Sequence, residues 1–245
     1  MRGKILLAVT TVLVMAFSAI AIAADINGTE GPDFIVGTNA NDVINSLGGD
    51  DQVFGLGGND TINTGDGADI AYGDGECPAG ATAPDYCTPT GGTGNDIMKG
   101  GEGGDELHGN GGRDRISGEA GADKLFGEAG ADRLFDNGGD DTARGGGGAD
   151  FVNGGSGDDD ASGGTGNDRV VGGSGDDKVS GNRGNDVITP GSGRDRVFGG
   201  RGNDKISARD GDTDVINCGP GKDTAIVDKE DDVNSNCENV RRKKK

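Results

Sequence analysis

One spacing constrains this chain more than any other property: an Asp every nine residues. In "GGSGDDKVSGNRGNDVITP", Gly172 to Pro190, glycines lead to Asp177 and again to Asp186, and a single apolar residue stands two places after each. Set in a nine-residue frame with Asp at position 6, the pattern runs without slip from Gly91 to Ser207, thirteen nonads. Five more fill Gly28 to Tyr72. The eighteen position-6 residues are Asp33, Asp42, Asp51, Asp60, Asp69, Asp96, Asp105, Asp114, Asp123, Asp132, Asp141, Asp150, Asp159, Asp168, Asp177, Asp186, Asp195 and Asp204. Position 8 is apolar throughout, from Ile35 to Ile206, and position 4 is Gly in most nonads, with Ala40 an exception. Such self-similarity marks a stacked repeat architecture. A composition with 53 Gly and no Trp would by itself point to disorder, but disorder does not account for two fixed sites repeated eighteen times.

Nine residues hold a glycine-rich turn of about six residues and a strand of about three. In that strand position 8 points inward while positions 7 and 9 point outward. Position 7 is often basic, as at Arg115, Lys124, Arg169, Lys178 and Arg196, which suits a solvated face beside acidic rows. One apolar side chain per nine ordered residues makes a thin core, too little to offset the backbone entropy of ordering. Stacking also aligns the Asp residues into rows of like charge. A divalent cation between them reverses the sign of that interaction. Carboxylates and glycine-turn carbonyls form an all-oxygen shell, the set that suits Ca2+; Mg2+ demands a smaller octahedron and keeps its waters. Zinc finds no Cys in the repeats and a single His, His108, at an outward position.

These nonads resemble the RTX, or haemolysin-type, calcium-binding repeat G-G-x-G-x-D-x-U-x, an established signature of metal-binding parallel β-helices. The resemblance spans Gly28–Tyr72 and Gly91–Ser207, about two-thirds of the chain. It implies an all-β fold, a right-handed parallel β-roll with two nonads per turn and calcium between the loops of successive turns on both edges. It further implies that Asp177 shares an ion with Asp159 or Asp195 on one edge, while Asp186 belongs with Asp168 and Asp204 on the other.

The segments around the repeats read differently. Residues 1–23 carry Arg2 and Lys4, an apolar run and Ala21-Ile22-Ala23, a secretory signal peptide that predicts an extracellular protein. Residues 24–72 and 91–207 are the two repeat blocks. Residues 73–90 interrupt them, but their eighteen residues equal one turn of the roll, so the register is expected to survive. An even count of four cysteines in an exported chain points to disulfides. Sequence does not fix their pairing; the local pairs Cys77–Cys87 and Cys218–Cys237 are favoured because short loops close at least entropic cost. Residues 208–240, where the frame slips by one and Asp214, Asp223 and Asp232 follow nine apart, read as a C-terminal cap. Residues 241–245 are a basic tail.

The formal charge of −20 disfavours nucleic acid and anionic membranes as partners. No apolar segment after Ala23 is long enough to insert into a bilayer. The chain has no H-E-x-x-H or G-x-S-x-G, and its one histidine, His108, falls at the outward position 9 and is expected to be a surface residue. No catalytic residue is assigned and no enzyme is expected. Three functional readings follow: a secreted, monomeric calcium-binding structural module that folds as it binds; a calcium-dependent adhesin or matrix protein displaying a surface to cell-wall or extracellular polysaccharide; or, by fold analogy alone, an auxiliary to polysaccharide modification.

Overall fold

The strands are longer and the turns tighter than the sequence pattern indicates. The computed structural model describes residues 23–74 and 93–242. In the second block most nonads give a six-residue strand running from position 7 to position 3 of the next nonad, such as Lys178–Arg183 and Val187–Ser192. Only positions 4 to 6 are left for the turn. The glycine-rich half pairs too: Asn182 lies opposite Gly200 and Arg183 opposite Arg201. A bend inside the strand makes this possible. Position 2 takes positive φ at glycines and also at Leu47, Leu56, Asn110, Glu119, Glu128, Asn137 and Asn182. Position 4 is less tolerant. Gly184 has φ +140°, and a Cβ there would overlap the Gly166 carbonyl of the turn below.

Successive strands alternate between two parallel sheets, each of twelve strands. Every strand of the regular block pairs with the strand eighteen residues away, as Val170 with Ile188 and Val179 with Val197. Two nonads therefore make one turn of a parallel β-solenoid. All eighteen position-8 side chains are buried between the sheets, nine from each. Position 1 also faces inward, and it is mostly Gly. The second interior column thus has almost no side chains, and the roll stays thin.

The interruption leaves the register intact. Thr61–Asp66 pairs directly with Ile97–Glu102, and Ile70–Asp74 with Glu106–His108, each thirty-six residues on instead of eighteen. Gly73 and Asp74, the first two residues of the interruption, belong to the stack as the end of strand Ile70–Asp74. The pair Cys77–Cys87 lies outside the described residues, as do residues 1–22 of the signal segment and 243–245 of the basic run.

At the C-terminal end the spacing changes. Ile206 pairs with Ala225, nineteen residues away, Ile216 with Val233, seventeen away, and Ala225 with Val240, fifteen away. Here the inner column is filled by Ala208, Cys218 and Val227. The Cys218–Cys237 disulfide closes this end. The last strand, Asn239–Arg242, runs two residues into the segment read as a basic tail. Arg242 is held there because its Nη1 donates to the carbonyls of Asp228 at 3.0 Å and of Lys229 and Asp231 at 3.2 Å.

Candidate metal centre

Stacking at a rise of eighteen residues sorts the position-6 acids into two rows, one along each edge. One row runs Asp33, Asp51, Asp69, Asp105, Asp123, Asp141, Asp159, Asp177 and Asp195. The other runs Asp42, Asp60, Asp96, Asp114, Asp132, Asp150, Asp168, Asp186 and Asp204. The rule within a row is constant: each backbone N–H donates to Oδ1 of the Asp one turn on. Asp159 donates to Asp177, and Asp177 to Asp195, both at 2.9 Å. The opposite edge repeats this with Asp168, Asp186 and Asp204.

The second carboxylate oxygen is the telling one. From Asp51 to Asp204, every position-6 Oδ2 is buried and has no hydrogen-bond partner among the described residues. The first turn differs. Asp33 Oδ2 accepts the N–H of Thr29 at 2.6 Å, and Asp42 Oδ2 accepts the N–H of Thr38 at 2.5 Å. Everywhere else a column of carboxyl oxygens lies buried without a hydrogen-bond partner, which is costly for a charge. Burial pushes Asp60, Asp96, Asp105, Asp150 and Asp177 up to about 7; the neighbouring acids push the same way, and the backbone hydrogen bond opposes both. Asp114 is pushed to about 8 by the same causes. These groups require either a proton or a cation. Hard carboxylate and carbonyl oxygens with spare lone pairs fit Ca2+.

Both rows extend into the cap, beyond the residues that nine-residue spacing assigns. Asp195 N–H donates to Asp214 Oδ1 and Asp214 N–H to Asp231 Oδ1; Asp204 donates to Asp223, and Asp223 to Glu238 Oε2. Asp231, and not Asp232, therefore continues the row, because the turn before it is one residue shorter than the frame demands. At this slip a carboxylate oxygen from each of Asp195, Asp210 and Asp214 falls within 4.8 Å of the others. Asp210 is exposed and supplied by the longer loop, so spacing from the repeats gives no sign of it.

Position 5 carries a second ladder. Asn167 Oδ1 accepts the N–H of Asn185 at 2.8 Å, and Asn185 that of Asn203 at 2.8 Å. On the other edge Asp140, Asp158 and Asp176 do the same, ending on Arg194, whose N–H and guanidinium both reach Asp176. The signal was visible as the Asn or Asp that so often precedes the position-6 Asp. These side chains fix the turns from outside while the position-6 acids fix them from within.

His108 does face outward, but it is not a free surface residue. Its ring stacks between Tyr72, 4.7 Å away, and Phe126, 4.6 Å away, extending a ladder from Phe54. Its Nδ1 meets Glu128 Oε1 at 3.0 Å and Nε2 meets Glu106 Oε1 at 3.2 Å. Stacking places equal positions of every second nonad face to face, and at position 9 of these four nonads each side chain is an aromatic ring. Among the described residues no helix is long and apolar enough to cross a membrane.

Comparison with known proteins agrees with this geometry. The family described as the RTX calcium-binding nonapeptide repeat matches residues 27–62, 47–76, 90–125, 126–161, 153–188, 162–197 and 189–225. No curated protein matches the chain. The matched segments cover well over half of the residues and coincide with the turns that carry the two Asp rows. The chain belongs to the RTX calcium-binding nonapeptide repeat family.

Proposed function

We propose that this is a secreted calcium-binding protein whose turns fold as they take up calcium, serving outside the cell as a rigid structural module and catalysing no reaction. One observation carries the reading: the unbroken column of buried, unpartnered Asp Oδ2 atoms along both edges. Position-6 Asp residues from Asp33 to Asp204 are the ligands in this reading, each joining two successive turns. A bound calcium ion supplies positive charge that turns repulsion along a row into cohesion. Because each turn contributes to the sites above and below it, binding is cooperative, and binding energy becomes folding energy. Before export, where calcium is scarce, the chain stays unfolded. Outside, calcium on the order of 1 mM matches the weaker range of protein sites.

The test is a calcium titration of the chain without residues 1–23, followed by far-UV circular dichroism with magnesium as control. A cooperative rise in β signal with calcium alone is the expected result. A chain that remains disordered up to about 10 mM calcium, well above the range of extracellular sites, overturns the proposal.

A further inference from the structure

Asp136 sits where the repeat places glycine. It occupies position 1 of its nonad, facing the interior on strand Arg133–Gly138, and it is fully buried. In adjacent nonads a Cβ at this position would lie 2.5–2.7 Å from Oδ2 of that nonad's own Asp: Gly127 against Asp132, Gly145 against Asp150, Gly154 against Asp159. The equivalent neighbour of Asp136 is Asp141, and the charges that face it are Asp141, Asp159 and Asp123, all of one row. Neither of its carboxylate oxygens has a hydrogen-bond partner among the described residues.

Two other nonads show what a polar residue normally does here. Ser46 Oγ donates to the Thr64 carbonyl at 2.7 Å, and Thr64 Oγ1 to the Gly100 carbonyl at 2.8 Å. Both are hydroxyls, and each gives its one hydrogen to a carbonyl of the next turn. An ionised Asp136 has no hydrogen to give. It brings two more buried, unmatched oxygens to the interior, where the field of Asp141 and Asp159 reaches it.

We infer that Asp136 builds one cation site unlike the others, a calcium site with an additional interior carboxylate that fills before the rest of its row. The inference rests on the calcium reading above and concerns a position the repeat leaves to glycine. Affinity of all-oxygen sites rises with the charge of their ligands, and here the extra ligand is desolvated in advance. Asp136 thereby marks the turn at which ordering of its row starts.

The experiment compares the wild-type chain with Asp136→Ser, which copies Ser46 and Thr64, and Asp136→Asn, which keeps the shape and removes the charge. Equilibrium dialysis counts bound calcium, and terbium luminescence reads the tightest class of site. The expected result is one calcium held about tenfold more tightly than the rest in the wild type, absent from both variants while the remaining sites fill as before. Circular dichroism in saturating calcium verifies that the variants fold. If both variants keep the full stoichiometry and the tight class, and are more stable than wild type in chelator, Asp136 is a buried neutral acid and the inference is overturned. Absence of calcium uptake by the wild type itself would overturn the parent reading as well.

Discussion

The regular block, Gly109 to Ser207, and the cap, residues 208 to 242, solve one problem by different means. Both are turns of the same solenoid, with strands in the same two sheets. In the block the interior is one apolar side chain per nonad plus a column of glycines broken by Asp136 and Pro190, and the acids repeat at eighteen without variation. In the cap the glycine column becomes Ala208, Cys218 and Val227, a disulfide ties two turns, and Arg242 binds the last carbonyls. The spacing drifts from nineteen to fifteen as well. Where the interior holds more carbon and a covalent link, the acid rows lose their regularity. Strict periodicity is thus the requirement of a charge-matched lattice, and a packed end can do without it.

The largest effect that tests this contrast is the exchange of calcium for protons. Burial raises the position-6 acids, to about 6 at Asp141, Asp159, Asp186, Asp195 and Asp204 and to about 7 at Asp60, Asp96, Asp105, Asp150 and Asp177. An acid raised in the fold binds its proton more tightly there than in the unfolded chain. Its stabilising contribution is therefore complete below about pH 4, the unfolded value, and is lost as pH climbs through 6 to 8. In excess chelator the chain is expected to lose its β signal at pH 8 and regain it near pH 4, and the calcium midpoint should rise as pH falls from 8 to 5. Circular dichroism across pH, with and without chelator, checks both. A metal-free chain fully folded at pH 8 and unmoved by acid would show that the rows are neutralised by other means.

How much of this was legible follows the same division. Asp177 and Asp186 announced two edges, and Val179 and Ile188 announced an interior, because each recurs in phase with the backbone. The division of the nonad into strand and turn differs from what the residue types suggest. Glycine suggests a loop by propensity, whereas Gly172 and Gly173 lie in strand, bent by a positive φ that ladder hydrogen bonds enforce. Asp231 was hidden because its turn is shorter than the frame. Asp136 was visible only as a missing glycine; that its side chain is walled in beside Asp141 is a consequence of which way position 1 faces, which a three-residue strand did not reach.

Interior truncation separates the two regions next. Ile188 is fully buried in the core, between Val170 and Ile206 of the strands on either side. Ile188→Ala should cost about 4 kcal/mol, read as a marked increase in the calcium needed for half-folding. In the cap, opening Cys218–Cys237 by paired Ser substitutions releases a loop of 19 residues and should cost about 3 kcal/mol, with hydrogen exchange accelerating first in strands Thr224–Val227 and Asn239–Arg242. Equal acceleration over both blocks would mean that the disulfide supports the whole stack and that the cap is no separate solution.

The smallest effect bears on what balances the acid rows. Lys178 Nζ pairs with Asp160 Oδ2 at 2.9 Å on the solvated face, and both side chains are about half exposed. Position 7 is basic in many nonads, so surface cations could in principle neutralise the rows without metal. Geometry argues otherwise. Lys178 is bound to a position-7 acid one turn away, outside the sheet, while the unmatched oxygens of Asp159 and Asp177 are buried within it. An exposed pair of this kind contributes below about 0.5 kcal/mol and is screened by salt. Lys178→Ala should therefore leave the calcium midpoint within about twofold, at low and high ionic strength alike. A shift of tenfold or more would place the counter-charge of the regular block on its surface, and the contrast between a metal-matched block and a carbon-packed cap would no longer hold.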